Sequence, residues 1–211
     1  MTVRSIAPSS AGRNGGVWAP LSGAGSGLCR AGWGQLGVAG GRCRDGQSPF
    51  GGDLIGANPT DRGKRGVKRS LLVEAGGGPL AVVVAGANVH DTKLLDATLQ
   101  AVVVERPQPT AEKPQHLSLD KGYDNPTGRQ AAADHQYVSH IRKIGEEKQD
   151  EQGEKRHPAR RWVVERTLAW LSKCRAILVR YDKKARNYLA LLQLACALVW
   201  YRRYNRLQLL R

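Results

Sequence analysis

Regular hydrophobic periodicity begins only after Gly51. Ser70–Ala75 and Pro79–Ala85 are β-rich apolar runs. Gly76-Gly77-Gly78 separates them, a spacing that predicts a hairpin. Leu94–Val104 predicts a helix, with Asp91 or Thr92 as its N-cap. Leu117–Asp120 reads as a short strand. Asn125 then caps a helix that takes Pro126 at its first position and runs to about His135. Tyr137–Ile141 predicts another strand and Arg142–Arg160 a charged loop. Arg161–Arg180 and Ala185–Leu207 predict two long helices. The order β-β-α-β-α-β-α-α predicts an α/β fold, a mixed sheet flanked by helices.

Residues 1–49 lack this regularity. They are Gly-rich, with five arginines, no lysine and one acid, Asp45, and show no sustained period of 2 or 3.6. A segment with so little to bury is expected to be disordered. The expected division is thus 1–49, a disordered segment, and 50–211, an ordered region ending in basic helices.

Charge changes the picture most. The 211 residues carry a formal +15 with pI near 10.2, which favours a polyanionic partner. From Lys155 to Arg211 there are 15 Lys and Arg against only Glu165 and Asp182. That concentration is the footprint of a nucleic-acid face, with a solvated basic helix as the alternative. Asn58–Gly66 forms a basic, Gly-rich loop holding Lys64 and Arg65, with Lys68 just beyond. The four cysteines show no zinc spacing. Cys174 and Cys196 read as buried free thiols of a reducing compartment. No stretch is apolar enough to span a membrane, so a cytoplasmic, nucleoid-associated protein is expected.

Two acids stand in unusual contexts. Asp120 ends a predicted strand, and Glu165 sits in Arg161-Trp162-Val163-Val164-Glu165-Arg166. Trp162, Glu165, Leu168, Ala169 and Ser172 share a helical face at i, i+3, i+4 spacing, which predicts that Glu165 faces the protein body. A carboxylate there needs a metal or a partner, and Arg161 is the structural candidate. Asp124 reads as turn chemistry.

Gly56–Arg62, Val84–Asp91, Leu119–Asp124 and Arg161–Thr167 together resemble bacterial DDE insertion-sequence transposases of the IS-four/IS-five type. The resemblance covers roughly residues 50–206. It implies a ribonuclease-H-like fold in which two aspartates and a glutamate hold two Mg²⁺ or Mn²⁺ ions for DNA strand cleavage and strand transfer. It makes Asp120 the second aspartate and Glu165 the glutamate, each a catalytic metal ligand. It also implies double-stranded DNA, the element's ends and its target, as partner, gives Arg161 a DNA contact and leaves a homo-oligomer open. The match departs at Ser172, where a lysine is expected and Lys173 stands one later. It departs again near His157 and Pro158, where a tyrosine is expected.

The first aspartate is missing from its place before Phe50-Gly51-Gly52-Asp53. Shifting the reading frame one base downstream through the codons of Val38–Pro49 permits family-like text with an aspartate overlapping Arg42. The tightly constrained codons of Cys43, Asp45, Gln47 and Ser48 all fit. Residues 1–49 are therefore expected to be out-of-frame translation, with Asp45 a coincidence and the sheet incomplete at its first strand. The expected protein is a transposase remnant with impaired activity. A non-catalytic DNA-binding protein is the alternative.

Overall fold

The computed structural model describes residues 35–40, 46–141 and 161–208. The strands are β1 (Gln35–Gly40), β2 (Gly46–Gln47), β3 (Gly56–Ala57), β4 (Arg65–Glu74), β5 (Pro79–Gly86), β6 (Gln115–Leu119) and β7 (Tyr137–Ile141). The helices are α1 (Asp91–Gln100), α2 (Pro126–Asp134), α3 (Arg161–Ser172), the single turn α4 (Arg175–Leu178) and α5 (Ala185–Gln208).

The main sheet runs β5-β4-β1-β6-β7, with the short β2 and β3 against β4. β4 is antiparallel to both β5 and β1, whereas β1, β6 and β7 are parallel. Parallel neighbours need crossovers, and α1 and α2 supply them. This strand order and polarity are those of a ribonuclease-H-like sheet. β4 and β5 are buried on both faces, which explains their near-continuous apolar sequence. On one face Leu72, Leu117 and Leu119 pack with Leu95 and Leu99 of α1 and Ala132 of α2. On the other, Leu71, Val73, Val82 and Val84 pack with Val163, Val164, Leu168 and Leu171 of α3 and with Tyr188 and Leu192 of α5.

One expectation fails at the centre of the sheet. Gln35–Gly40 lies inside the segment expected to be disordered, yet it forms β1 between β4 and β6. The sheet is therefore not missing its first strand. Ladder hydrogen bonds come from the backbone, so a sequence with little to bury can still fill a gap between two committed strands. Asp45 and the predicted loop Arg142–Arg160, with His157 and Pro158, lie outside the described residues.

Local punctuation was mostly as expected. Asn125 caps α2 with its side chain accepting from Gly128 N at 2.8 Å, and Pro126 opens the helix. α1 differs: His90 is its N-cap, and Asp91 occupies the first turn and pairs with Lys68 at 3.1 Å. The predicted helix over Arg161–Arg180 stops at Ser172, and Cys174 caps the short α4.

The β4–β5 turn anchors the helical layer. Glu74, 3% exposed, accepts from Gly76 N at 3.0 Å and Gly78 N at 2.8 Å and pairs with Arg203 of α5. Gly77, at φ +91, approaches α3 so closely that a Cβ would lie 2.9 Å from Thr167 Oγ1. Thr167 donates to the Gly77 carbonyl at 2.7 Å, and Trp200 Nε1 donates to Pro79 O at 2.7 Å.

Burial pushes the Cys196 thiol from its ordinary 9.0 to about 12, helped by Cys174. Burial also raises the Tyr137 and Tyr188 hydroxyls. In each case the native state retains a proton that the unfolded chain releases. For Cys196 this stability is complete below 9.0 and is lost as pH rises toward about 12. Urea midpoints are expected to stay level near neutral pH and fall steadily above 9.0. At about pH 8, iodoacetamide should label the half-buried Cys174 and leave Cys196 untouched until the chain unfolds. Peptide mapping distinguishes the two, and labelling of native Cys196 would contradict its burial.

Candidate active site and nucleic-acid face

Asp120 follows directly on β6. Its backbone is extended, and its side chain accepts from Lys121 N at 2.8 Å, capping the one-turn helix Lys121–Tyr123. Within β6, Leu117 and Leu119 enter the α1–α2 core, whereas His116 and Ser118 are half-buried. Alternation therefore places Asp120 on the α3 side of the sheet.

The parallel register pairs Val38 with Leu119. One residue further, Ala39 stands level with Asp120. The antiparallel register puts Ala39 opposite Leu71, whose side chain belongs to the α3–α5 core. Ala39 is thus at the strand position level with Asp120, whereas Arg42, where the shifted frame would place the aspartate, lies outside the described residues. β1 reads Gln-Leu-Gly-Val-Ala-Gly and contains no carboxylate.

Glu165 is on α3, but not where the helical spacing placed it. The buried stripe of α3 is Val163, Val164, Thr167, Leu168 and Leu171, while Trp162, Glu165 and Ala169 are exposed. The predicted face was rotated by about one residue, roughly 100°. Two stripes of similar apolar content exist on this helix. The β-branched pair Val163-Val164 fits the sheet, while Trp162 lies outside with Arg166 over its ring at 4.6 Å. Arg166 also lies 4.8 Å from Trp170 and donates to the Gly76 carbonyl at 2.7 Å. The Trp162-Arg166-Trp170 spacing at i, i+4, i+8 is the sequence signal of this stack.

These anchors set α3 along the sheet. Thr167 is tied to Gly77, in the turn just past Glu74, and Glu74 is level with Leu36 near the start of β1. Asp120 is level with Ala39 near its end, three residues or about 10 Å away along the strand. Asp120 and Glu165 thus share a side of the sheet but attach at different levels along it.

Metal fit follows from the donors. Among the described residues no group of three or more His, Cys, Asp and Glu side chains is placed to hold a metal ion. Asp120 and Glu165 lack a third carboxylate on β1, so the described residues do not make the three-acid set of a two-metal centre.

The basic residues divide into two groups. Lys64, Arg65 and Lys173 are exposed, with Lys64 3.5 Å from Asp61. Lys68 is not available to DNA as expected. It donates to Val89 O at 2.7 Å and pairs with Asp91, because β4 turns it inward against the start of α1. The Arg161 backbone opens α3, and its side chain is outside the described residues. No helix among the described residues is long and apolar enough to cross a membrane.

The sheet has ribonuclease-H-like order and polarity, with an acid leaving its central parallel pair and basic residues concentrated in the C-terminal helices. The family model described as "Transposase DDE domain" matches residues 38–200. A protein of Burkholderia cepacia, named as the candidate transposase for insertion sequence element IS402, is 35% identical over 146 residues, covering 68% of this chain and 67% of its own. The chain belongs to the DDE transposase family, a family of DNA-acting enzymes. A solved structure, the catalytic core domain of BIV integrase, is similar at TM-score 0.43 and 12% identity, covering 78% of this chain and 82% of that one.

Proposed function

We propose that this chain binds DNA as a transposase does but is impaired in metal-dependent strand cleavage and strand transfer at element ends. The observation that carries this reading is Ala39 level with Asp120, on a β1 without any carboxylate. Two-metal catalysis needs both ions fixed, since each activates or stabilises one of the two reacting oxygens. Asp120 and Glu165 alone leave that charge uncompensated. In this reading residues 1–49 are out-of-frame translation, β1 supplies the strand's backbone, and the ligand was lost at the position of Arg42, just past β1.

Binding is the retained half. The Lys155–Arg211 segment carries a net +13, and each phosphate it neutralises adds about −0.9 to the slope of log affinity against log salt. Fluorescence anisotropy with a duplex oligonucleotide is expected to show a steep slope of roughly −4 or beyond, as several phosphate contacts require. A shallow or absent salt dependence would remove DNA from the reading. Lys173→Ala should lower affinity similarly for all sequences and flatten the slope by about 1, whereas Lys68→Ala should act on stability instead. Cleavage is tested by nicking an element end in Mg²⁺ or Mn²⁺.

A further inference from the structure

Phe50 is the chain's single phenylalanine, and it is 63% exposed. Its ring centroid lies 5.8 Å from that of Tyr181, which is 61% exposed, at an interplanar angle of 42°. Two large rings in contact with each other and mostly in water are costly to keep outside a core. Flexibility does not explain it, because the backbone beneath them is held from both sides. Arg180 N donates to Gln47 O at 2.8 Å, Ser48 Oγ to Arg180 O at 3.3 Å, and Asp53 N to Lys183 O at 2.9 Å.

Arg180 braces this frame from inside. It is fully buried and donates to Asp182 O at 2.8 Å and to Lys183 O at 2.9 Å, with its guanidinium 5.5 Å from the Tyr188 ring. Gly52, at φ +132, lies against the Lys183 carbonyl so tightly that no Cβ would fit. The Arg65 guanidinium is beside Gly51, and Lys183, Lys184 and Arg186 are exposed nearby along the chain. Asp53, Lys184 and Arg186 line an open hollow of about 400 Å³. The one acid there, Asp53, already accepts from Ala185 N at 3.3 Å.

Rigidly mounted aromatic faces among cations are the chemistry that captures an unstacked base while holding its phosphates. Gly66 at the start of β4 pairs with Gln47, just before this frame. β4 runs antiparallel to β1, so the frame lies beyond the same end of the sheet at which Asp120 leaves β6. We infer that Phe50 and Tyr181 form a stacking platform for an unpaired base of DNA, with Arg65, Lys183 and Lys184 taking the adjoining phosphates. This rests on the DNA-binding reading and names the form of DNA that the surface prefers.

The full chain is titrated with two DNAs of equal length. One is a fully paired duplex, and the other carries a short single-stranded extension containing 2-aminopurine. The parent should bind the extended duplex more tightly and quench the 2-aminopurine. Phe50→Ala and Tyr181→Ala should each weaken binding of the extended duplex by roughly ten-fold, abolish quenching and leave the paired duplex within about two-fold. Tyr181→Phe should retain quenching. Phe50→Leu, which keeps an apolar side chain without a π face, should lose it. Because both rings are exposed, the thermal midpoints of these variants should stay with the parent's. A parent that binds the paired duplex but neither prefers the extended duplex nor quenches its 2-aminopurine, or alanine variants that quench as the parent does, overturn the platform alone. A parent that binds neither DNA overturns the DNA-binding reading together with it.

Discussion

This chain should not detectably nick a labelled element end in Mg²⁺ or Mn²⁺. A frame-repaired version, with the aspartate in place of Arg42, should do so at a rate higher by about two to three orders of magnitude or more. The difference is large because phosphodiester cleavage here has no covalent protein chemistry to fall back on. In the proposed reaction, positioning and charge stabilisation by two ions would supply the rate, and both would depend on a complete carboxylate set. Asp120→Ala and Glu165→Ala should abolish activity in the repaired version and change nothing in this chain. Duplex affinity should be similar in all six proteins. Activity in this chain that both substitutions abolish would show that another acid, such as Asp45, completes the site, and the impairment reading would fall.

Glu74→Ala should destabilise the fold by about 3–5 kcal/mol, the combined cost of orphaning two turn amides and removing the buried partner of a half-buried ion pair. Arg203 would lose its carboxylate, and the Gly76 and Gly78 amides would lose their acceptor. A domain of this size is stable by only about 5–15 kcal/mol, so the change consumes much of the total. Denaturant midpoints should fall sharply, with the C-terminal helix α5 exposed first in hydrogen exchange, since Arg203 and Trp200 tie it to the hairpin. Glu74→Gln keeps acceptor oxygens for the turn and should cost less. A midpoint unchanged by Glu74→Ala would mean that the hairpin is held by Thr167 and Trp200 alone.

The two predictions draw on different levels of information. Glu74 is an acid in a β-rich run, where it reads as a strand-end polar residue. Its importance arises because the glycine turn folds back over it and α5 delivers Arg203 from 129 residues away. The failure at β1 has the same origin. Gln35–Gly40 is poor strand text, with two glycines among its six residues, yet β4 and β6 present ladders on either side of it. Glu165 was misplaced for a third reason. A helix of twelve residues with valines, leucines and tryptophans on overlapping arcs has two plausible inner faces. Only the shape of the opposing sheet selects between them.

What the amino-acid sequence determined by itself was everything governed by short-range chemistry and by charge. The Gly76-Gly77-Gly78 hairpin, the Asn125-Pro126 helix start, the strand Tyr137–Ile141 and the long C-terminal helix from Ala185 follow from local φ/ψ preference and apolar period. The basic C-terminal quarter follows from composition alone. Only the tertiary structure decided that Gln35–Gly40 becomes the central strand, that Ala39 stands level with Asp120, that Lys68 is drawn in to Asp91 and that Phe50 meets Tyr181 in solvent. Each of these depends on groups far apart in the chain. Register, burial and ion pairing are set by the elements that surround a residue, and a local pattern carries no record of them.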